Sequence, residues 1–170
     1  ALGQLHALEV LELGSTPITD TSLGKIGQLK HLQVLGLCGT SISDSGLADL
    51  RGLEQLWCLD LDQTRVTDDG LAKIAHLKEL QTLNLENTQI SDAGLVHLKD
   101  LKKLQTLNLD HTQVTDAGLA NLKGLEKLQS LRVTGTTVGD AGLANLRPLM
   151  HLETVGLGGT KVTDSGLVQL

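Results

Sequence analysis

Threonine returns every 24 residues, at Thr16, Thr40, Thr64, Thr88, Thr112, Thr136 and Thr160. The columns around it are almost unbroken. Five residues earlier stand Leu11, Leu35, Leu59, Leu83, Leu107, Leu131 and Val155; three earlier stand Leu13, Leu37, Leu61, Leu85, Leu109, Val133 and Leu157. Four residues later comes aspartate each time: Asp20, Asp44, Asp68, Asp92, Asp116, Asp140 and Asp164. A fixed period of this length specifies a solenoid, in which each unit buries its apolar side only against its neighbours. The expectation is one domain over residues 1–170, built from about seven repeats.

Within a unit the apolar period changes. Leu83 and Leu85 alternate, as in a short strand with one face inward. After Asp92 the leucines at Leu95, Leu98, Leu101 and Leu104 recur every third residue, which fits a short helix or 3₁₀ turn leaning on the core. Stacking the units gives a parallel sheet backed by helical segments, an α/β solenoid. The wider helical side should curve the stack, sheet innermost. Each aspartate follows Ser or Thr in six repeats and precedes the apolar run, so it is expected to be the helix N-cap. The threonines stand where the chain leaves the sheet, and their hydroxyls are expected to satisfy backbone groups there. Both columns read as structural. Glycine occupies the second position after the aspartate in six repeats, with Ser22 in the first. Close packing of turns explains this better than positive φ.

The columns L-x-x-L-x-L-x-x-T-x-I/V-T/S-D-x-G-L-x-x-L resemble the leucine-rich repeat family, as Leu80, Leu83, Leu85 and Thr88 show in one copy. The Asp-x-Gly-Leu tail is most similar to the cysteine-containing subclass of F-box-type ubiquitin-ligase receptors, with threonine at the cysteine or asparagine position. Bacterial internalin-like repeats are also in range. The resemblance implies a right-handed curved superhelix, short parallel strands on its concave face, helices or 3₁₀ turns on its convex face, and protein recognition without catalysis or cofactor. The alternatives are a purely structural scaffold, or the substrate receptor of a ubiquitin-ligase-like adaptor. The leucine-rich ends, ALGQL and DSGLVQL, suggest a fragment without caps, open to end-to-end self-association.

Function should sit where the repeat stops dictating residue type. Outward positions lie six, four and two residues before each threonine, joined by the residue immediately before it. In the middle repeats they supply Asp60, Asp62, Asn84, Glu86, Asn87, Asn108, Asp110 and His111, flanked by Arg132 and, at the rim, by Trp57, the sole aromatic residue. Parallel strands lie about 4.8 Å apart, so Asp62, Glu86 and Asp110 should be close like-charged neighbours that welcome a cation. The expected partner is a protein or peptide segment, basic or polar, over repeats three to five. Gly36, Gly39, Gly156, Gly158 and Gly159 should leave both flanks bare.

Other chemistries fit less well. A formal net charge of -6 without a basic stripe argues against nucleic acid, and no apolar run reaches the roughly 18 residues of a membrane span. GLGGTK at Gly156–Lys161 lacks the Gly-Lys-Ser/Thr order of a phosphate loop. Glu86, Asp110 and His111 form a metal candidate outweighed by ordinary polar surface. Cys38 and Cys58 are offset by four residues on neighbouring strands, too far for a disulfide. They are expected to be surface thiols, modestly prone to oxidation. Two free thiols and no Asn-x-Ser/Thr sequon lean towards a reducing, cytoplasmic setting.

Overall fold

In the computed structural model, residues 5–168 are described. The chain folds into one seven-stranded parallel sheet whose strand order is the sequence order: β1 (Val10–Glu12), β2 (Val34–Gly36), β3 (Cys58–Asp60), β4 (Thr82–Asn84), β5 (Thr106–Asn108), β6 (Ser130–Arg132) and β7 (Thr154–Gly156). Register is constant. Leu35 pairs with Leu59, Leu59 with Leu83 and Leu83 with Leu107, so each rung lies one period from the next.

Between strands run α1 (Asp20–Ile26), α2 (Asp44–Leu47), α3 (Asp68–Ile74), α4 (Asp92–Leu95), α5 (Asp116–Leu119), α6 (Asp140–Leu143) and α7 (Asp164–Leu167). In three repeats a 3₁₀ turn continues the helix, at Ala48–Gly52, Val96–Leu98 and Ala120–Leu122. Leucines every third residue favour this tighter winding, which eclipses side chains at i and i+3. Leu95, Leu98, Leu101 and Leu104 are all fully buried. They meet Leu83 and Leu85, also fully buried, in one continuous aliphatic core.

The alternation at each strand therefore places leucine inward and Thr82, Asn84 and Glu86 on the opposite face of the sheet, where all three are half-buried. Among the described residues, no helix or strand covers that outward face. Among the described residues, no helix is long and apolar enough to cross a membrane.

The threonine hydroxyls have a uniform geometry. Each Oγ1 donates to the carbonyl three residues back at 2.6–2.7 Å, from Thr16 on Leu13 to Thr160 on Leu157. Thr40, Thr64, Thr88, Thr112 and Thr136 are buried while doing so. The hydroxyl closes, within its own repeat, the carbonyl of the first residue beyond the strand.

The aspartates differ from the N-cap expectation. The N-cap is the preceding residue, Thr19, Ser43, Thr67, Ser91, Thr115, Gly139 or Thr163, in extended conformation. The aspartate is the first helical residue, and its carboxylate reaches across to the next repeat. Asp68 accepts from the Ser91 N–H at 2.8 Å and from the Ser91 hydroxyl at 2.5 Å. Asp20 serves Ser43, Asp44 Thr67, Asp92 Thr115 and Asp140 Thr163 in the same way. A helical first turn aims the side chain along the stacking axis, where the neighbour's turn offers an unpaired N–H.

This rung explains the glycine column. A Cβ at Gly46 would lie 2.5 Å from Asp20 Oδ1 and 2.9 Å from Leu23 Cδ1, and Gly70, Gly94, Gly118, Gly142 and Gly166 meet the preceding aspartate as closely. None of these glycines has positive φ. The close-packing expectation matches this geometry.

Candidate functional site: the outward face of the sheet

The residue before each threonine adopts the left-handed conformation throughout: Ser15, Gly39, Gln63, Asn87, His111, Gly135 and Gly159 have φ between 52° and 70°. Here the chain turns out of the strand. Glycine carries no penalty at such a φ and asparagine tolerates it. Gly39, Gly135 and Gly159 therefore answer a backbone demand, not the needs of a visiting side chain.

The flanks are also less bare than the sequence suggests. The Glu12 carboxylate lies in the space over Gly36, the Cys38 thiol over Gly14 and the His111 ring over Gly135. Gly36 is buried as a result. Each glycine gives room to a side chain of an adjacent strand.

Between these flanks runs a diagonal hydrogen-bond network in which each strand's donor covers the preceding strand's carboxylate. Arg132 Nε donates to Asp110 Oδ2 at 2.7 Å, with a second ion-pair contact from Nη2. Asn108 donates to Glu86 at 2.9 Å. The Asn84 side chain also favours the ionised form of Asp60. Asn87 bridges Asp62 at 3.4 Å and Glu86 at 3.3 Å, and Gln63 donates to Asp62 at 2.9 Å. Inside each strand, Asp60, Asn84 and Asn108 accept the N–H two residues on.

Asp110 departs from expectation. It is 1% exposed, and its second oxygen accepts the Thr134 N–H at 2.5 Å. It is not an open carboxylate beside Glu86. The half-exposed Arg132 folds back over it, because a buried carboxylate requires a charged partner and saturating donors. His111, by contrast, is exposed and directed over Gly135, so the Glu86, Asp110 and His111 side chains do not converge.

Asp60, Asp62 and Glu86 remain as half-buried carboxylates whose side-chain donors are amides. Among the described residues, no cation forms an ion pair with them. Asp60 shows the consequence: burial pushes its carboxyl above the usual range and the neighbouring Asp62 and Glu86 charges push the same way, against relief from the Asp62 N–H and Asn84. The field extends to the thiols. Cys38 and Cys58 are half-buried, and burial followed by the Asp60 charge raises both thiols above the ordinary value. This corrects the picture of oxidation-prone surface thiols, since reactivity follows the thiolate.

Trp57 is 37% exposed, immediately before β3. Its backbone links Gln33 and Gln81 across the stack, at 2.9 and 2.8 Å. Glu12 and Gln63 join the candidate face although the sequence reading did not single them out. Gln63 was signalled by standing in the Asn87 column, and Glu12 by facing Gly36 across one strand spacing.

The architecture carrying this face matches a known family along nearly its whole length: the leucine-rich repeat region profile covers residues 1–165. The chain belongs to the leucine-rich repeat family. In structure it is similar to the crystal structure of internalin C2 from Listeria monocytogenes, with a TM-score of 0.74 and 27% identity over 98% of this chain and 79% of that one. It shares the fold of the internalin InlF from the same organism, with a TM-score of 0.70 and 22% identity over 99% of this chain. This chain spans 54% of InlF. No curated protein sequence matches it. Leucine-rich repeat proteins generally act in protein–protein interaction.

Proposed function

We propose that this leucine-rich repeat chain is a recognition module that binds a basic segment of a partner protein across the outward, concave face of its sheet. The contact centres on β3 and β4. Asp60, Asp62 and Glu86 meet the partner's lysines or arginines, Asn84, Asn87 and Asn108 supply polar contacts, and Trp57 supplies the apolar anchor at the rim. Arg132 sets the far boundary together with Asp110, which acts through Arg132 without touching the partner.

One observation carries the reading. Among the described residues of the outward columns, Asp110 is matched by a guanidinium, while the three carboxylates beside it have only amides. The Asp110–Arg132 pair is thus an internal example of the contact a partner's arginine makes one or two strands away. Amide donors orient a carboxylate without cancelling its charge, and the uncompensated field both steers and selects a cationic ligand.

A displayed peptide library selected on the wild-type protein tests this, with binding of the enriched peptides followed by the emission of Trp57, the single tryptophan. The enriched sequences are expected to carry lysine or arginine and to bind Asp62→Asn/Glu86→Gln at least about tenfold more weakly, with thermal unfolding unchanged. Neutral or acidic winners, or equal affinity for the variant, would reject the reading.

A further inference from the structure

The outward column at the start of the strands changes chemistry part-way along the sheet. It holds Val34 and Cys58 on β2 and β3, then Thr82, Thr106 and Ser130 on β4 to β6. The position before it changes at the same place. Gln33, Gln81, Gln105 and Gln129 precede β2, β4, β5 and β6, whereas Trp57 precedes β3. Leu35 and Leu59 are fully buried, so strand alternation turns Val34 and Cys58 outward, and the two are Cα partners in the β2–β3 register. Both are half-buried, and Trp57 is exposed. The fold does not call for apolar side chains at these three places, since hydroxyls and glutamine fill them in the neighbouring repeats. Cys58 belongs with the apolar pair: burial and then the Asp60 charge raise its thiol, and a neutral thiol behaves as a small hydrophobe.

The carboxylates begin directly beside this strip. Cys58, Asp60 and Asp62 stand two residues apart along the chain, which at about 3.3 Å per residue puts Asp60 about 7 Å and Asp62 about 13 Å from Cys58. On β2 the Glu12 carboxylate, lying over Gly36, borders Val34. A lysine or arginine held over Asp60 and Asp62 brings the adjoining residues of its own chain over Val34, Cys58 and Trp57. An apolar side chain there gains burial, while a polar one gives up water without finding a partner.

We infer that Val34, Cys58 and Trp57 form an apolar subsite next to the acidic group, a reading that rests on the basic partner proposed above. The partner segment then carries a large apolar residue about two to four residues from its lysine or arginine in an extended chain.

Peptides enriched from the displayed library test this by their spacing and by a substitution cycle. Each is expected to hold a leucine, isoleucine, methionine, phenylalanine or tryptophan at that distance from its cation. Titration calorimetry then compares one such peptide, and its copy with serine at the apolar position, on wild type and on Val34→Thr/Cys58→Thr. Threonine is native at the same place in β4 and β5. The variant should bind the parent peptide at least about tenfold more weakly than wild type and the serine copy about equally. Equal affinity of the parent peptide for both proteins would overturn the inference while leaving the charge reading standing. Enriched sequences with lysine or arginine but no apolar residue at that spacing would do the same. Sequences without a cation, or full affinity for Asp62→Asn/Glu86→Gln, would overturn both. Should Val34→Thr/Cys58→Thr unfold, alkylation of Cys58 by iodoacetamide in wild type decides. Saturating parent peptide should slow it more than the serine copy does at the same occupancy, and equal protection, or none, contradicts the subsite.

Discussion

Asp62 and Asp68 are six residues apart and belong to two rows of carboxylates built on opposite terms. In the rung row, each aspartate ends a chain of donors from the next repeat, as Asp68 does with the Ser91 N–H and hydroxyl. In the outward row, Asp62 receives only the side-chain amides of Gln63 and Asn87. Backbone N–H donors that have no other partner make a carboxylate part of the fold; flexible amides leave it exchangeable. The pKa directions follow the same division. Asp20 is held below the ordinary carboxyl range: partial burial opposes this but is outweighed by the Ser43 and Ser45 hydroxyls and the Ser43 and Gly46 N–H groups. Asp140 is lowered by the Thr163 N–H and then its hydroxyl. Asp60 is raised, by burial and by its neighbours' charges. Asp20 and Asp140 stabilise the solenoid through their charge, and Asp60 carries its charge at a cost.

Asp110 crosses this division, and the strongest test lies there. It stands in the outward row yet has rung-like donors, so Asp110→Ala should lose about 3 kcal/mol of unfolding free energy. A loss below about 0.5 kcal/mol would return it to the outward group. Gly70→Ala attacks the rung from the other side. A Cβ there meets Asp44 Oδ1 and stands 2.7 Å from Val66 Cγ1, and the expected loss is about 2 kcal/mol by denaturant titration.

Gly139 offers the opposite sign. It is the single N-cap of the seven without a hydroxyl, and Asp116 meets only its N–H, at 2.6 Å. An added Cβ would find nothing nearer than 3.6 Å, and φ of -130° suits serine. Gly139→Ser should supply the missing bond to Asp116 and raise stability by about 1 kcal/mol.

The smallest effect is in the pH profile. Asp20 and Asp140 have lowered folded values, so their contribution is complete above the ordinary carboxyl range and is lost as pH falls through those values. Asp60 has a raised folded value, so its ionisation weakens the fold above that value and protonation relieves it. Between about pH 5 and pH 4 stability should hold or rise slightly, then fall below about pH 4. Asp60→Asn should abolish the rise and leave the acid loss.

The sequence displays the solenoid because its constraint repeats. Five copies of Leu-x-Leu ahead of threonine, with valine replacing one leucine in the other two repeats, and six of Asp-x-Gly-Leu behind it leave no other period, and the inward leucines follow. The rung was harder to see. Ser/Thr-Asp before an apolar run reads equally as an N-cap on its own helix or as an acceptor for the next repeat. The clue that separates them is glycine two residues on, which a local cap does not require and a crossing carboxylate does. The outward face was legible as a set of columns but not as a set of contacts. Asp110 looks like Asp62 until Arg132, 22 residues later, is seen to reach back over it. Left-handed turns at Gln63 and His111 were likewise masked, although glycine and asparagine in that same column carried the signal.

Equilibrium urea unfolding of Asp68→Ala and Asp62→Ala, the same chemical change in the two rows, is the most direct test of the division on which the binding proposal rests. Asp68→Ala should lose about 2–3 kcal/mol, while Asp62→Ala should stay within about 0.5 kcal/mol of wild type. Equal losses, or a larger loss at Asp62, would contradict the assignment of one row to the fold and the other to recognition.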